Sequence, residues 1–267
     1  MLSYSPIKKG FFLMEMFRKV IPCLDTKDGK LVKGVHFVGL QDLGDPAEAA
    51  AAYCAAGADE LVLLDITATT EGRATLLEVV KRTVARIRLP LTIGGGIRSV
   101  DDAKALFDLG VSRVSVNSAA VKRPALLHEL ASAFGSDRVT LAIDTRHNPN
   151  VASGFEVMVS GGNVATGLDA VAWARKAQTL GAGAVLPTSM EGDGSQQGYD
   201  IPMTRAIADA VTVPVIASGG AGKLEDLSAA ILEGRADAVL VASIAHFGTF
   251  TLRQMKDHLR EKGIPVR

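Results

Sequence analysis

The sequence predicts an α/β protein whose eight strand–helix units close into a (β/α)8 TIM barrel built from two similar half-barrels. Short runs of branched apolar residues alternate with helical patterns from Met16 to the end of the chain. Eight units over residues 16–267 leave about 31 residues for each, the scale of one strand with its helix. Eight parallel strands can close without leaving an edge, so a barrel is favoured over an open doubly wound sheet.

The predicted strands are apolar almost throughout, as expected for parallel strands covered on both faces. They are Val20–Leu24, Glu60–Ile66, Leu89–Ile93, Arg113–Asn117, Val139–Ile143, Ala184–Thr188, Val213–Ala217 and Ala238–Ala242. The predicted helices are Pro46–Ala56, Ala74–Arg86, Val100–Leu109, Pro124–Phe134, Asp169–Leu180, Pro202–Ala210, Leu224–Glu233 and Leu252–Lys262. Helix starts carry N-cap signals, such as Ser99 with Asp102 three residues later and Asp45 followed by Pro46.

The two halves of the chain repeat each other. The stretch LPLTIGGGIRS begins at position 89, and VPVIASGGAGK begins 124 residues later, at position 213. Paired glycines, strand ends and helices follow in the same order in both halves. Asp25, after the first strand, corresponds roughly to Asp144 after the fifth. This order predicts two half-barrels of four units each.

The amino-acid composition excludes several classes of protein. Lys+Arg and Asp+Glu are equal at 29 each, so no net charge points to nucleic acid or a membrane surface as partner. Two cysteines, Cys23 and Cys54, offer neither a disulfide framework nor metal-ligand spacing, and they fit a reducing cytosol. No apolar run reaches the roughly 18 residues of a membrane span. We expect residues 1–15 to be an extension or a misassigned start, and residues 16–267 to form one domain.

Two glycine-rich turns predict two phosphate sites. Gly94–Gly96 follows the third strand, and Ser218–Gly220 follows the seventh. Each turn has a companion after the next strand, Asn117–Ser118 or Ala242–Ser243, and the second companion leads into IAHFG, a candidate short helix. Glycines let backbone N–H groups approach an anion closely. One such turn could simply be tight, but the repetition favours a ligand that carries a phosphate at each end.

Asp25 and Asp144 are the candidate catalytic pair. They end strands one and five, which lie opposite each other in a ring of eight, so both would face the middle of such a ligand. A pair of carboxylates can serve as general acid and general base. Either residue alone could be an N-cap or an ion-pair partner of Lys27 or Arg146, but the symmetric placement favours catalysis.

The segment DTKDGKLVKGVHF, residues 25–37, is predicted to be a mobile loop that could cover the barrel mouth. Lys33 would bring a cation to the substrate, although a solvated lysine is the simpler alternative. The five histidines show no metal-ligand spacing, and no motif for a metal or organic cofactor is present. We therefore expect a reaction without a cofactor.

The chain resembles a known family. The pattern IPCLD-x-KDG-x-x-VKGV-x-F is followed by GADELVLLDIT, LTIGGGIRS, VSVNSAAV, AIDTR, GYD and VIASGGAG. From about Phe17 to Arg267 these motifs resemble the cyclase subunit of imidazole glycerol phosphate synthase in histidine biosynthesis. The related phosphoribosyl-formimino isomerase, also a doubled barrel with two aspartates, is the alternative enzyme, and a non-catalytic barrel that binds phosphorylated ligands is the alternative outside catalysis.

The resemblance implies the reaction. Ammonia would convert the bis-phosphorylated ribulosyl-formimino aminoimidazole carboxamide ribonucleotide into imidazole glycerol phosphate and aminoimidazole carboxamide ribonucleotide. Asp25 and Asp144 would be the acid–base pair, and Lys33 the cation of the loop. By similarity one phosphate would lie at Gly96, Asn117 and Ser118, and the other at Asp193, Gly194, Gly220, Ala242 and Ser243. The resemblance implies no metal or organic cofactor.

The resemblance also implies a partner. A glutaminase subunit would dock at the N-terminal face of the barrel and deliver ammonia through its core, past a gate of charged residues. The gate positions here are Lys19, Glu60, Arg113 and Ala184. The family pattern has an acidic residue at position 184, an arginine at position 19 and a bulkier basic residue at Gly192. We expect these differences to alter coupling to the partner and to leave the chemistry intact.

Overall fold

The computed structural model describes residues 17–35, 38–66 and 72–267. The predicted extension, residues 1–15, lies outside these residues. Within them, every predicted strand and helix overlaps an observed one. The strands are β1 Lys19–Lys27, β2 Lys30–Val35, β3 Val38–Gly44, β4 Leu61–Asp65, β5 Leu91–Gly94, β6 Arg113–Val116, β7 Val139–His147, β8 Phe155–Val159, β9 Val164–Asp169, β10 Ala184–Ser189, β11 Ile216–Ala217 and β12 Ala238–Val241.

The helices alternate with the parallel strands. They are α1 Pro46–Ala55, α2 Gly72–Val84, α3 Val100–Asp108, α4 Ser118–Lys122, α5 Ala125–Phe134, α6 Ala170–Thr179, α7 Ile201–Ala208, α8 Leu224–Leu232, α9 Ser243–His246 and α10 Leu252–Glu261, with a 3-10 turn at Ser136–Arg138. Within the described ranges no helix is long and apolar enough to span a membrane. Asp45, Ser99, Asp169 and Asp200 cap their helices by accepting backbone N–H bonds.

Eight parallel strands form a closed ring in the order β1, β4, β5, β6, β7, β10, β11 and β12. Parallel ladders join each pair from β11 through β12 and β1 to β7, and β7 pairs with β10. The ring closes between β10 and β11 through parallel bridges at Val185–Val215 and Thr188–Ser218. Ser218 N–H donates to the Pro187 carbonyl there, at 3.2 Å. The predicted TIM barrel is confirmed.

The barrel has two apolar layers because successive residues of each strand point to opposite faces. Val20 and Leu24 of β1 belong to the large core between strands and helices. Ile21 and Cys23 of the same strand belong to a smaller cluster inside the ring, with Val62, Leu186, Ala238 and Leu240. The inward-facing side chains of each strand therefore form a row that extends from the N-terminal to the C-terminal end of the barrel.

The two halves share unusual details. Each half begins with a nine-residue strand, β1 or β7, that continues into an antiparallel pair, β2–β3 or β8–β9. In each half the last barrel strand is followed by a short helix, α4 or α9. The residue before α4, Asn117, has φ −126° and ψ −93°, and the residue before α9, Ala242, has φ −132° and ψ −82°. The same rare backbone at matching positions supports the predicted duplication.

The prediction of a mobile loop over residues 25–37 is wrong for the described part of that segment. Residues 30–35 form β2, which pairs with β1 and β3, and Leu31, Val32 and Lys33 are buried. Asp28 (φ 51°) and Gly29 (φ 78°) form the turn. Asp-Gly with two positive φ angles is typical of a tight hairpin turn, and this local signal determines the structure despite the polar composition of the segment. Residues 36–37 lie outside the described residues.

A buried ion pair connects the last helix, α10, to the segment before β4 and to β1. Lys256 of α10 donates to Asp59 Oδ1 and to the Gly57 carbonyl, both at 2.7 Å, and the other Asp59 oxygen accepts from Val20 N–H. Both side chains are over 90% buried. We expect Lys256→Met to lower the free energy of unfolding by about 3–5 kcal/mol, because it leaves the Asp59 carboxylate buried without its cation.

Chemical denaturation of the variant and the parent measures this effect. Lys104→Met is the matched control, since Lys104 pairs with Asp108 on the exposed face of α3 and should change the denaturation midpoint little. The double variant Lys256→Met, Asp59→Asn should recover part of the loss. Equal midpoints for Lys256→Met and Lys104→Met would contradict the assigned role of the buried pair.

Candidate active site

Asp25 and Asp144 occupy matching places on opposite walls of the barrel. Asp25 lies on the same inward face of β1 as Ile21 and Cys23, two residues beyond Cys23. Asp144 lies two residues beyond Ala142 of β7, whose side chain packs against the cluster inside the ring. β1 and β7 are four strands apart in the ring of eight. Both carboxyl groups therefore face the interior near the C-terminal ends of the strands, where barrel enzymes place their sites.

Lys33 links Asp25 to a third acid, Asp193. Its Nζ lies 3.1 Å from Asp25 Oδ2 and 3.6 Å from Asp193 Oδ1, and only 3% of the side chain is exposed. Burial lowers the pKa of Lys33, but the two carboxylates outweigh it and raise the pKa above its usual range. The ammonium is therefore held charged inside the site. The alternative of a solvated Lys33 is excluded in this arrangement.

The environment of Asp144 differs from that of Asp25. Burial and the nearby Asp193 carboxylate raise the pKa of Asp144 to about 7, while a hydrogen bond from the Asn117 side chain opposes the rise. The carboxyl group is recessed among protein atoms, yet the residue as a whole is only partly buried. A carboxyl group with this pKa can both donate and accept a proton near neutral pH.

Asn117, predicted from the family to contact phosphate, also bonds the catalytic candidate. Its amide donates to Asp144, and its own Oδ1 is buried without a hydrogen-bond partner. An unpaired buried acceptor costs free energy unless a ligand satisfies it. Periodicity placed Asn117 at a strand end, but no pattern in the sequence indicated that its amide would reach across to β7.

Both glycine-rich turns contain glycines with positive φ angles. Gly96 has φ 68°, and Gly220 has φ 112°, both in the region that disfavours other residues. A Cβ on Gly220 would lie 2.0 Å from the Gly198 carbonyl oxygen, so no side chain fits there. Gly194 (φ 72°) lies in the turn that follows β10, beside Asp193. These main-chain segments lie at the C-terminal ends of β5, β10 and β11.

The hydroxyl residues of the two predicted phosphate sites are in different settings. Ser243 is buried at the start of α9, directly after Ala242. Ser118 Oγ, at the start of α4, accepts the Ser160 N–H at 2.9 Å, which ties it to the turn between β8 and β9. A serine hydroxyl can still donate its hydrogen to an anion while it accepts such a bond. Phosphate binding by these residues stays a prediction.

The gate positions converge at the opposite end of the barrel. Lys19 Nζ lies 2.5 Å from Glu60 Oε1, and Arg113 donates to Glu60 Oε2 at 2.8 Å. Arg113 also donates to the Asp137 carbonyl at 3.1 Å. Ala184 begins β10 and supplies no charge. The single carboxylate of Glu60 thus bridges both cations, and the partial exposure of Lys19 and Arg113 leaves the remaining positive charge in contact with solvent.

A second polar cluster lies on the rim of the mouth. His147 Nε2 is 2.9 Å from Asp200 Oδ2 and 4.0 Å from Glu191 Oε2, within the spacing of metal ligands. His147 and Glu191 are exposed, and Asp200 also caps α7 by accepting from Met203 N–H. These hydrogen bonds account for the cluster as a polar contact between two rim segments, and we assign it no catalytic part.

Comparison with known proteins places the chain in a family. Residues 19–251 match the family model described as histidine biosynthesis protein. The chain is 54% identical over 250 residues to the imidazole glycerol phosphate synthase subunit HisF of Acidobacterium capsulatum, an alignment that covers 94% of this chain and 98% of that protein. The resemblance seen in the sequence motifs is thereby confirmed. This barrel, with its paired aspartates, belongs to the family of histidine biosynthesis proteins.

Proposed function

We propose that this chain is the cyclase subunit of an imidazole glycerol phosphate synthase and acts as a lyase. The observation that carries the proposal is the placement of Asp25 and Asp144 on opposite inner walls at the same end of the barrel. The similarity to HisF over nearly the whole chain supports it. The substrate is the bis-phosphorylated ribulosyl-formimino ribonucleotide, held by a phosphate at each end.

The acids divide the proton transfers between them. Attack of ammonia on the ketose carbonyl expels the oxygen as water, and that oxygen must gain protons. Asp144, with its pKa near 7, is the donor to the departing oxygen. Asp25, paired with the Lys33 ammonium at 3.1 Å, accepts protons from the attacking nitrogen. Cleavage of the formimino C–N bond then releases the carboxamide ribonucleotide as ring closure gives imidazole glycerol phosphate.

The phosphate contacts follow from the same proposal. Gly96, Asn117 and Ser118 hold one phosphate, and Asp193, Gly194, Gly220, Ala242 and Ser243 surround the other. Main-chain N–H groups supply these contacts, because the Asp193 carboxylate would repel a phosphate and instead pairs with Lys33. The reaction needs no metal or organic cofactor.

A glutaminase subunit is the proposed partner. It docks at the N-terminal face, where Lys19, Glu60 and Arg113 form an ion-paired group. Ammonia passes from there along the inward-facing row of apolar residues, such as Ile21 and Cys23, to Asp25. We place the complex in the cytosol, since the two free cysteines, Cys23 and Cys54, fit a reducing compartment.

Turnover of the purified chain with excess ammonium salt tests the proposal. We expect formation of both products without any partner, since free ammonia can enter the barrel from solution. Isomerisation of the formimino precursor with no use of ammonia would instead identify the related isomerase. Binding of the substrate with no turnover at any ammonium concentration would support the other alternative, a non-catalytic barrel that binds phosphorylated ligands.

A further inference from the structure

The imidazole ring of His246 connects three elements beside the proposed site. His246 is the last residue of α9, and its Nε2 lies 2.8 Å from the Cys23 carbonyl oxygen on β1. Its Nδ1 lies 2.8 Å from the Tyr53 hydroxyl on α1. The Tyr53 and His246 rings pack tilted, with centroids 5.7 Å apart. The ring is therefore held on both of its nitrogens.

The partners assign the tautomer of the ring. A carbonyl oxygen can only accept, so Nε2 must carry the hydrogen that is donated to Cys23. Nδ1 of a neutral ring is then an acceptor, and the Tyr53 hydroxyl donates to it. Burial lowers the pKa of His246, and burial raises the pKa of Tyr53 to about 12. Both groups are therefore neutral at physiological pH, which is consistent with the two hydrogen bonds.

The bridge spans two parts of the proposed active site. Ser243, in the proposed phosphate segment, lies three residues before His246 in the same short helix. Cys23, whose carbonyl accepts the bond, lies two residues before Asp25, and its sulfur is 3.5 Å from Asp25 Oδ1. A rigid contact between residues 246 and 23 thus sets the position of the phosphate segment relative to Asp25.

The equivalent junction, between α4 and the start of the second half, lacks this bridge. Aligning Ser118 with Ser243 places Val121 opposite His246. Aligning the helix caps Asp45 and Asp169 places Ala177, a fully buried core residue, opposite Tyr53. Apolar residues thus stand at both corresponding positions. The polar pair therefore belongs to the junction of α9 with β1 and α1, whereas the equivalent junction of α4 with β7 and α6 forms without one.

We propose that His246 is a positioning residue that fixes the Ala242–Ser243 phosphate segment relative to Asp25, with its Nε2–H tautomer set by Tyr53. The inference rests on the proposed function for the identity of the ligand. It adds that the two ends of the substrate are held differently. The end near Asp25 is held against β1 by a hydrogen-bonded ring, whereas at the end near Asp144 the Ser118 hydroxyl bonds the Ser160 N–H and Val121 stands in place of the ring.

Steady-state kinetics with saturating ammonium test the inference. His246→Val introduces the residue of the other half, and we expect kcat to fall at least about tenfold, since small displacements of a substrate anchor cost that much. His246→Gln, which can still donate to the Cys23 carbonyl, should recover part of kcat, and Tyr53→Phe should have a smaller effect than His246→Val. Leu130→Ala, which truncates a buried core side chain of α5 outside the proposed site, is the control, expected to lower the melting temperature while kcat stays within twofold.

Two measurements do not depend on turnover. Titration with inorganic phosphate should give a dissociation constant at least about tenfold weaker for His246→Val than for the parent. Nitrogen NMR of the histidine-labelled full chain should show His246 protonated on Nε2. An unchanged kcat and phosphate affinity in folded His246→Val, or a proton on Nδ1, would overturn the inference. A parent that binds phosphate but never turns over would count against the proposed function alone.

Discussion

Replacing Asp25 by asparagine is expected to lower kcat for the ammonia-dependent reaction by about 10²–10⁴-fold, the usual contribution of a general acid–base group. The amide keeps the shape of the side chain but cannot accept the proton released from the attacking nitrogen. It also removes one of the two carboxylates that face the Lys33 ammonium, which is 3% exposed. The measurement is kcat at saturating substrate and ammonium, with the melting temperature of each variant recorded alongside.

Asp42→Asn is the matched control for that experiment. Asp42 lies on β3 of the same hairpin and pairs with Lys30, but the pair is exposed. The control therefore disturbs an ion pair of the hairpin without touching the barrel interior, and kcat should be unaffected. If Asp25→Asn kept kcat within threefold of the parent, the result would contradict the acid–base role of Asp25. Lys33 and Asp193 would then be the candidate proton-transfer groups.

The barrel could be predicted from the sequence because its physical signals are local and repeated. A strand covered on both faces must be apolar throughout, so runs such as Val139–Ile143 were recognisable without any knowledge of their neighbours. The positions of Asp25 and Asp144 followed from the same reasoning, since strand ends and ring order determine which residues face each other. Both depend on patterns a few residues long.

The contacts that distinguish the two acids could not be predicted. The bond from Asn117 to Asp144 joins β6 to β7, and the pair of Lys33 with Asp193 joins β2 to the turn after β10. The His246–Cys23 bond joins residues 223 positions apart. Such bonds depend on side-chain direction in the folded barrel. The β1–β2 hairpin is a different case, because its Asp28–Gly29 turn is a local signal in the sequence that the polar composition of the segment obscures.

Asp144→Asn is expected to stabilise the fold at alkaline pH while it abolishes turnover. The pKa of Asp144 in the folded chain is about 7, against an ordinary value near 3.9 in an unfolded chain. Because the folded pKa is the higher one, the stabilising contribution of the protonated group is complete below about pH 4 and is lost as pH rises through 7. Above pH 7 the fold must carry a recessed carboxylate beside Asp193.

The size of the effect follows from the shift. About three pKa units correspond to at most about 4 kcal/mol, and the accessible part of the group is screened by water, so we expect a gain of about 2 kcal/mol at pH 8. The gain should shrink steadily as the pH is lowered to 5, where the parent group is already neutral. Denaturation at several pH values measures both features, together with kcat, which should fall with the lost proton donor.

Asp209→Asn provides a control of opposite sign. Partial burial raises the pKa of Asp209, but hydrogen bonds from Arg205 and Arg235 outweigh it and hold the pKa below its usual range. Its carboxylate therefore stabilises the fold above the unfolded pKa, and the amide should weaken the fold slightly at pH 8. A destabilised Asp144→Asn at pH 8 would mean that the carboxylate of Asp144 is favoured in the folded chain. Asp144 would then be ionised at neutral pH and unsuited to donate a proton to the departing oxygen.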